Sequence, residues 1–538
     1  MGPPHSPEVP PHENTAASAP PNTPGSIDPQ LSASEARSAG RGGLAIAGAK
    51  VWFILAGFVQ QTLLPHFIGM DGYGAFSSVL SFANIPNNVV TTASIQGVSR
   101  AVAGAPEGQE EVVQRRTFLI HLGLAPILAI IFAALAPAAA AFEHAPHLLG
   151  PLRIFAAVLF IYGIYTPLVG ALNGRRRFLA QAGLDVTFAT LRTIGLLGAA
   201  FALTTRLDGP TASAIGVAVA AAAVLPIAWA VAGNGRAGTS GPSVGAHLAI
   251  IAPIAVAQFF SNILMQADIW LLRRFVHESG ARAGVAVEAL QRTTDGLVGS
   301  YRAAQLFAFL PYQLLLSITF ILFPMLARAH ARRETKAVNE YVRAGFRLAL
   351  ILAGFMVSCT SGLGPQLLRF AFPREAADQA SETLRILALG QGAFAIFGIE
   401  ATILVSLSRE VWSAIVTAVA SFLVAALCWV LVPAASFDSS LLVRTGTATS
   451  IALALAAITG GFLVRRVAGP FVSLKTLVRV AIALAAAIAL GSRLPLGSRW
   501  LSLLEAPVVA GAFILVCVLS GELSRGDLSR VTRALGRR

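Results

Sequence analysis

From residue 44 onward, long apolar runs alternate with short polar breaks. Fourteen runs can be delimited, near 44–66, 73–96, 117–141, 151–172, 180–203, 212–232, 247–270, 299–326, 343–362, 384–405, 411–432, 443–464, 473–491 and 504–521. As helix, each is long enough to cross a hydrocarbon core of roughly 30 Å. The pattern predicts an all-α polytopic membrane protein with about 14 transmembrane helices. The runs at 73–96, 343–362 and 473–491 are the most interrupted or bordered by polar residues.

Composition agrees with a lipid solvent. Only 12% of the 538 residues are charged, against about 25% in ordinary soluble domains, and mean hydropathy is +0.70. The formal net charge of +14 raises the question of nucleic acid, but nearly all of it lies in interhelical loops and at the termini. With a cytoplasmic N-terminus, the loops on that side carry about 18 Lys and Arg against about 11 on the other, a positive-inside bias that predicts two cytoplasmic termini. The tail at 522–538, rich in arginine, is expected to lie against anionic headgroups. Residues 1–40 hold nine prolines and almost no large apolar side chain, which predicts a disordered cytoplasmic tail. The three cysteines are widely separated and predict no disulfide framework or metal site.

The chain also repeats itself. The segment from Gly74, GAFSSVLSFANIPNNVV, lies 225 residues before GSYRAAQLFAFLPYQLL from Gly299, and at that offset Phe82 falls on Phe307, Ala83 on Ala308 and Pro86 on Pro311. The implied organisation is two pseudo-symmetric six-helix bundles, 44–232 and 247–464, with two additional transmembrane helices in 470–521. Parallel repeats of this kind flank a central cavity in transporters. Pro86 and Pro311 are hinge candidates, because a proline frees a carbonyl and kinks a spanning helix.

Polar groups at membrane depth are functional candidates. Asn84, Asn87 and Asn88 either face a cavity or join helices by hydrogen bonds. Arg192 lies near the middle of its run, and Asp185 shares its face two turns away. Gln258, Asn262 and Gln266 draw a polar stripe leading to Asp268, and Arg302 opens the next run near the depth of Asp268, which makes an ion pair between them feasible. Glu400 lies near the inner end of its run. Together, Arg192, Asn84, Asn87, Asn88, Asp185, Asn262, Gln266, Asp268, Arg302 and Glu400 form the expected substrate cavity. The arginines suit a multiply charged anion, and the acids suit either ion coupling or charge balance. No nucleotide-binding loop, paired-acid site or metal-ligand spacing is present in the sequence.

LLPHFIGMDGYGAFSSVLSFANIP followed by SIQGVSRAVAG, SNILMQADIWLL with Asp268, and FILFPMLARAH resemble helices one and two, seven and eight of polysaccharide flippases. These belong to the multidrug/oligosaccharidyl-lipid/polysaccharide exporter superfamily, and the resemblance covers roughly residues 44–520. It implies a non-enzymatic transporter of the bacterial inner membrane that flips an undecaprenyl-pyrophosphate-linked oligosaccharide outward. It also implies membrane lipids and polysaccharide polymerase machinery as partners, no nucleic acid, and no cofactor beyond proton or sodium coupling. NIPN at 84–87 is also similar to lipid II flippases, which carry an arginine where Asn84 stands; that departure removes a cavity cation. A lipid II-type flippase and an ion-coupled multidrug exporter are the alternatives.

Overall fold

The computed structural model describes residues 29–469, 471–495 and 501–523. Most of the predicted tail at 1–40 and of the basic tail at 522–538 therefore lies outside the described residues. Pro29 to Gly40 are helical, contrary to the expected disorder. Pro29 is the last proline of the tail, and the Ala, Glu and Arg that follow it favour helix.

Every described element is helical. The first helix, α1 (Pro29–Ala103), contains the first two apolar runs and is interrupted at Gly69, whose φ of 75° and ψ of 170° are not helical. The chain folds back there, since Tyr73 Oη donates to Gln61 Oε1 at 2.8 Å although the residues are 12 apart. In an unbroken helix they would be separated by about 18 Å. Only glycine adopts this backbone without strain.

The chain continues through α2 (Glu110–Phe142), the short 3₁₀ turn η1 (Pro146–Leu148), α3 (Leu149–Gly174), α4 (Phe178–Leu203) and α5 (Gly209–Ala232). Helices α1, α3, α4 and α5 pack on one another, and α2 packs on α1 and α3. Helix α6 (Val244–Arg282) then packs on α1 and leads to α7 (Val287–Ala308) and α8 (Leu310–Ala331). The run at 299–326 is thus two helices meeting at Phe309, with Pro311 in the first turn of α8. Pro311 cannot donate to the preceding turn. Its repeat partner Pro86 stays inside α1.

The second group is completed by α9 (Thr335–Gly362), the short α10 (Gly364–Ala371), α11 (Arg374–Ser406), α12 (Glu410–Leu431) and α13 (Ser440–Ala468), with α11 packed on α7, α8, α9 and α13. Helices α14 (Leu474–Gly491) and α15 (Leu501–Leu519) pack on each other and on α9. Among the described residues, 11 helices are long and apolar enough to cross a membrane by length and composition. Large apolar side chains stay exposed on their outer faces, among them Ile130, Leu135, Phe422 and Val430. A surface of that kind is suited to lipid rather than water.

Ion pairs and backbone contacts gather the basic loops at one end. Glu111 receives Arg175 and Arg236, each at 3.0 Å, and Arg116 donates to the carbonyls of Thr239 and Pro242. Glu522, just past α15, is almost completely buried and receives Arg347 at 2.8 Å and Arg479 at 3.6 Å. We call this the basic end. The opposite, distal end carries Gly69 and the α2–α3 and α6–α7 connections. There α1 and α7 cross with almost no space between backbones: a Cβ on Gly74 would stand 1.8 Å from the carbonyl oxygen of Asp295, and one on Gly299 would stand 2.3 Å from that of Met70.

Candidate functional site

A cavity of about 160 Å³ is lined by α1, α3, α4 and α5. Asn84, Asn87 and Asn88 reach it from α1, at a spacing that puts all three on one helix face. Asp185, Phe188 and Arg192 reach it from α4, again along a single face. Tyr162, Tyr165 and Val169 supply the α3 wall, and Lys50 and Phe53 the first leg of α1. The sequence reading places the cavity between the two groups of helices. The cavity that contains Arg192 lies instead within the first group, because small residues let α4 and α5 close one side: Gly195 and Gly216 each sit so near the other's carbonyl that a Cβ would meet it at 2.5 or 2.2 Å.

Two cations and one acid share this space. Lys50 Nζ lies 3.4 Å from Asp185 Oδ2, with the lysine half exposed and the aspartate largely covered. Arg192 is partly buried, and its Nε has no hydrogen-bond partner. The Oδ1 of Asn87, 6% exposed, also lacks one. Unpaired polar groups buried in this way are costly unless water or a ligand satisfies them. Arg192 is held in place by its neighbours on α4: Thr193 accepts from Gln60 Nε2 at 2.7 Å and Thr190 from Trp52 Nε1 at 3.0 Å. The aromatic wall is ordered as well, Phe188 stacking on Tyr165 with centroids 5.6 Å apart and on Phe53 at 6.4 Å. The result is a surplus of positive charge, amide donors and acceptors, and flat aromatic faces in one recess.

The other expected site residues lie elsewhere. Asn262 is at the edge of this set, accepting from Asn88 Nδ2 at 2.6 Å across α1 and α6; Asn88 therefore both lines the cavity and joins two helices. Gln266 is buried on α6 with its Oε1 unpartnered. Asp268 is buried in a separate cluster, where its Oδ2 accepts from Tyr301 Oη at 2.7 Å and Gln305 Nε2 at 2.8 Å, and its Oδ1 from the Ile269 backbone at 2.9 Å. The Asp268–Arg302 ion pair that the sequence makes feasible is not formed. Arg302 instead donates to Gln305 Oε1 at 3.0 Å, so the amide stands between the two charges, and the carboxylate is already satisfied by neutral donors. Glu400 is 2% exposed, its Oε2 has no partner, and it lies against Gly460 and Gly461 of α13 and is not among the residues that line the cavity.

Lys50 and the aromatic wall were not evident from the sequence. A lysine at the head of an apolar run is indistinguishable from a topology anchor, and Tyr162, Tyr165 and Phe188 look like ordinary core residues at helical spacing. Among the described residues no group of three or more His, Cys, Asp or Glu side chains could hold a metal ion.

Comparison with known proteins points to one fold. The MatE family model matches residues 291–430, while curated protein sequences gave no match. A solved structure described as lipid II flippase MurJ in an inward closed conformation superposes with a TM-score of 0.72, covering 89% of this chain and 99% of that one at 13% identity. An inward-facing multidrug resistance MATE transporter gives 0.59, with 79% and 95% coverage at 14% identity. A MOP superfamily transporter from Pyrococcus furiosus gives 0.54, with 82% and 96% coverage at 15% identity. The chain has the fold shared by the MATE-like and MurJ-like transporters of the MOP superfamily.

Proposed function

We propose that this chain is a flippase for a polyprenyl-linked, phosphate-bearing glycan in the bacterial inner membrane, working by alternating access between the two groups of helices. One observation carries the reading: Arg192, whose Nε has no hydrogen-bond partner, lines a recess that also holds Lys50, three asparagines and an aromatic wall. Guanidinium and ammonium suit a diphosphate, amides suit sugar hydroxyls, and tyrosine faces suit the C–H faces of pyranose rings. No covalent bond needs to be made or broken.

Within this class a lipid II-type precursor is better supported than an O-antigen or exopolysaccharide unit. The overlap with the lipid II flippase extends further than that with the MATE transporters, and the cation missing at Asn84 is replaced across the same cavity by Arg192 and Lys50. A cationic-drug exporter is disfavoured by the positive surplus. Asp268 and Glu400, buried away from the cavity, are the acids we assign to ion coupling. The basic end is placed in the cytoplasm with both termini.

The test is binding to purified protein in nanodiscs of undecaprenyl-pyrophosphate carrying either the peptidoglycan disaccharide-peptide or a plain oligosaccharide. Tighter binding of the first, weakened in Arg192→Ala with unchanged melting, supports the reading. Preference for the plain oligosaccharide moves the assignment to polysaccharide precursors, and saturable uptake of a cationic dye with no glycolipid binding overturns it.

A further inference from the structure

The distal end contains a buried charge cluster unrelated to the cavity. Arg273 of α6, 1% exposed, lies among Asp295 of α7, Glu143 between α2 and η1, His147 of η1 and Ser78 of α1. Its Nη2 is 2.5 Å from Asp295 Oδ1, its Nε 3.5 Å from Glu143 Oε2, its Nη1 3.2 Å from Ser78 Oγ and its Nη2 3.3 Å from His147 Nε2. His147 Nε2 is also 3.3 Å from Asp295 Oδ2. The cluster therefore spans both groups of helices, with Glu143, His147 and Ser78 on one side and Arg273 and Asp295 on the other.

Two features mark it as more than structural padding. It sits at the tightest crossing of the groups, since the carbonyl that Gly74 approaches belongs to Asp295 itself. It also holds two acids for one arginine: Asp295 takes the short contact, while Glu143, itself 1% exposed, has only the longer one, its Oε2 3.5 Å from Arg273 Nε. A second carboxylate buried beside one arginine that is already engaged by the first is poorly compensated when ionised.

We propose that Glu143, with Arg273 and Asp295, forms a proton site that latches the two groups of helices together at the distal end, closing while the Glu143 carboxyl holds a proton and loosening when it loses it. Burial, the largest influence, raises this carboxyl from its ordinary range to about 8; Arg273 and Ser78 oppose the rise, and Asp295 adds to it. Opening the distal end would return Glu143 to water and to an ordinary acid strength. The closed form thus binds the proton more tightly, so its advantage is complete below the ordinary glutamate range and is lost as pH rises through about 8. The outlying charges of the same end form their own set: Glu278 pairs with Arg274 at 2.8 Å and lies 3.7 Å from His144, which stacks on His277. The latch rests on the transporter reading only in requiring that the distal end can open.

Spin labels at Leu207→Cys and Val287→Cys, both exposed at the distal end, report the separation of the groups without any substrate. Cys359, Cys428 and Cys517 are replaced by alanine in this background, and the full-length chain is studied in nanodiscs. Raising the pH from about 6 to about 9 is expected to populate a longer distance, its ratio to the short one growing roughly tenfold or more. Glu143→Gln is expected to stay closed throughout, and Asp295→Asn to move the response to lower pH by letting Arg273 stabilise the Glu143 carboxylate. A distance that ignores pH in the native chain, or a pH response that survives in Glu143→Gln, overturns the latch. If Glu143→Gln does not fold, an unshifted response in Asp295→Asn does so. Neither result touches the glycolipid-binding test, which depends on Arg192.

Discussion

At the scale of single residues, the cavity's chemistry rests on how one acid divides two cations. Asp185 contacts Lys50 but not Arg192, which leaves the guanidinium as the group with unsatisfied capacity. Removing it should cost a charge-assisted interaction of about 1.5–3 kcal/mol. Arg192→Ala is therefore expected to weaken binding of a diphosphate-linked glycan by roughly tenfold or more, measured by titration in nanodiscs. Arg192→Lys should recover only part of this, because an ammonium cannot form two parallel bonds. Asp185→Asn should act oppositely, freeing Lys50 and tightening binding at low ionic strength; unchanged affinity in that variant would mean that Lys50 does not reach the headgroup. Arg192, Asp185 and the three asparagines were legible in sequence because charge and amide at membrane depth need a reason. Lys50 was not, since its role follows from the fold bringing the first leg of α1 against α4.

At the scale of elements, glycines mark which contacts are tightest, and the two tightest crossings have different consequences. Gly195 and Gly216 join α4 to α5 within one group. Gly195→Val should lower thermal stability by about 1–3 kcal/mol through overpacking, without changing accessibility at either end. Gly74 and Gly299 join α1 to α7 across the groups. Gly74→Ala cannot be accommodated with α1 and α7 at their present spacing, because the obstacle is backbone. It should shift the protein toward a distally open form, seen as faster water-side labelling of Val287→Cys, and equal labelling in both backgrounds would show that this crossing does not move. The break at Phe309 adds a related expectation. Pro311→Ala restores a backbone donor to the start of α8 and should slow flipping in proteoliposomes more than it weakens binding. Pro311 was readable as a point of bending, whereas the complete division into α7 and α8, and the reversal at Gly69 inside what the hydrogen-bond pattern joins as one helix, depend on backbone angles that hydropathy does not encode.

At the scale of the whole molecule, hydropathy was the strongest signal, because every run had to be helix if lipid surrounds it. All fourteen runs fall on helical segments, although α1 carries two of them and α7 with α8 share one. What hydropathy could not convey was which polar residues meet: of the ten expected cavity residues five line the first-group recess, Asn262 joins its edge, Asp268 and Arg302 meet through Gln305, and Gln266 and Glu400 each keep an unpartnered oxygen, a consequence of packing rather than pattern. Orientation is a separate matter, and it follows from the basic end. Glu111 and Glu522 draw loop and helix arginines from both groups toward one side, so the charge bias seen along the chain becomes a single electropositive face. The proposed orientation, with that face in the cytoplasm, follows the positive-inside rule and the attraction of anionic headgroups. Single cysteines at Glu107 and Arg332, both exposed at the basic end, should then be shielded from a membrane-impermeant thiol reagent in intact spheroplasts and react only after lysis. Cysteines at Leu207 and Val287 should react before lysis. The reverse pattern would turn the protein over, place Glu143 against the cytoplasm, and make the latch respond to internal rather than external pH.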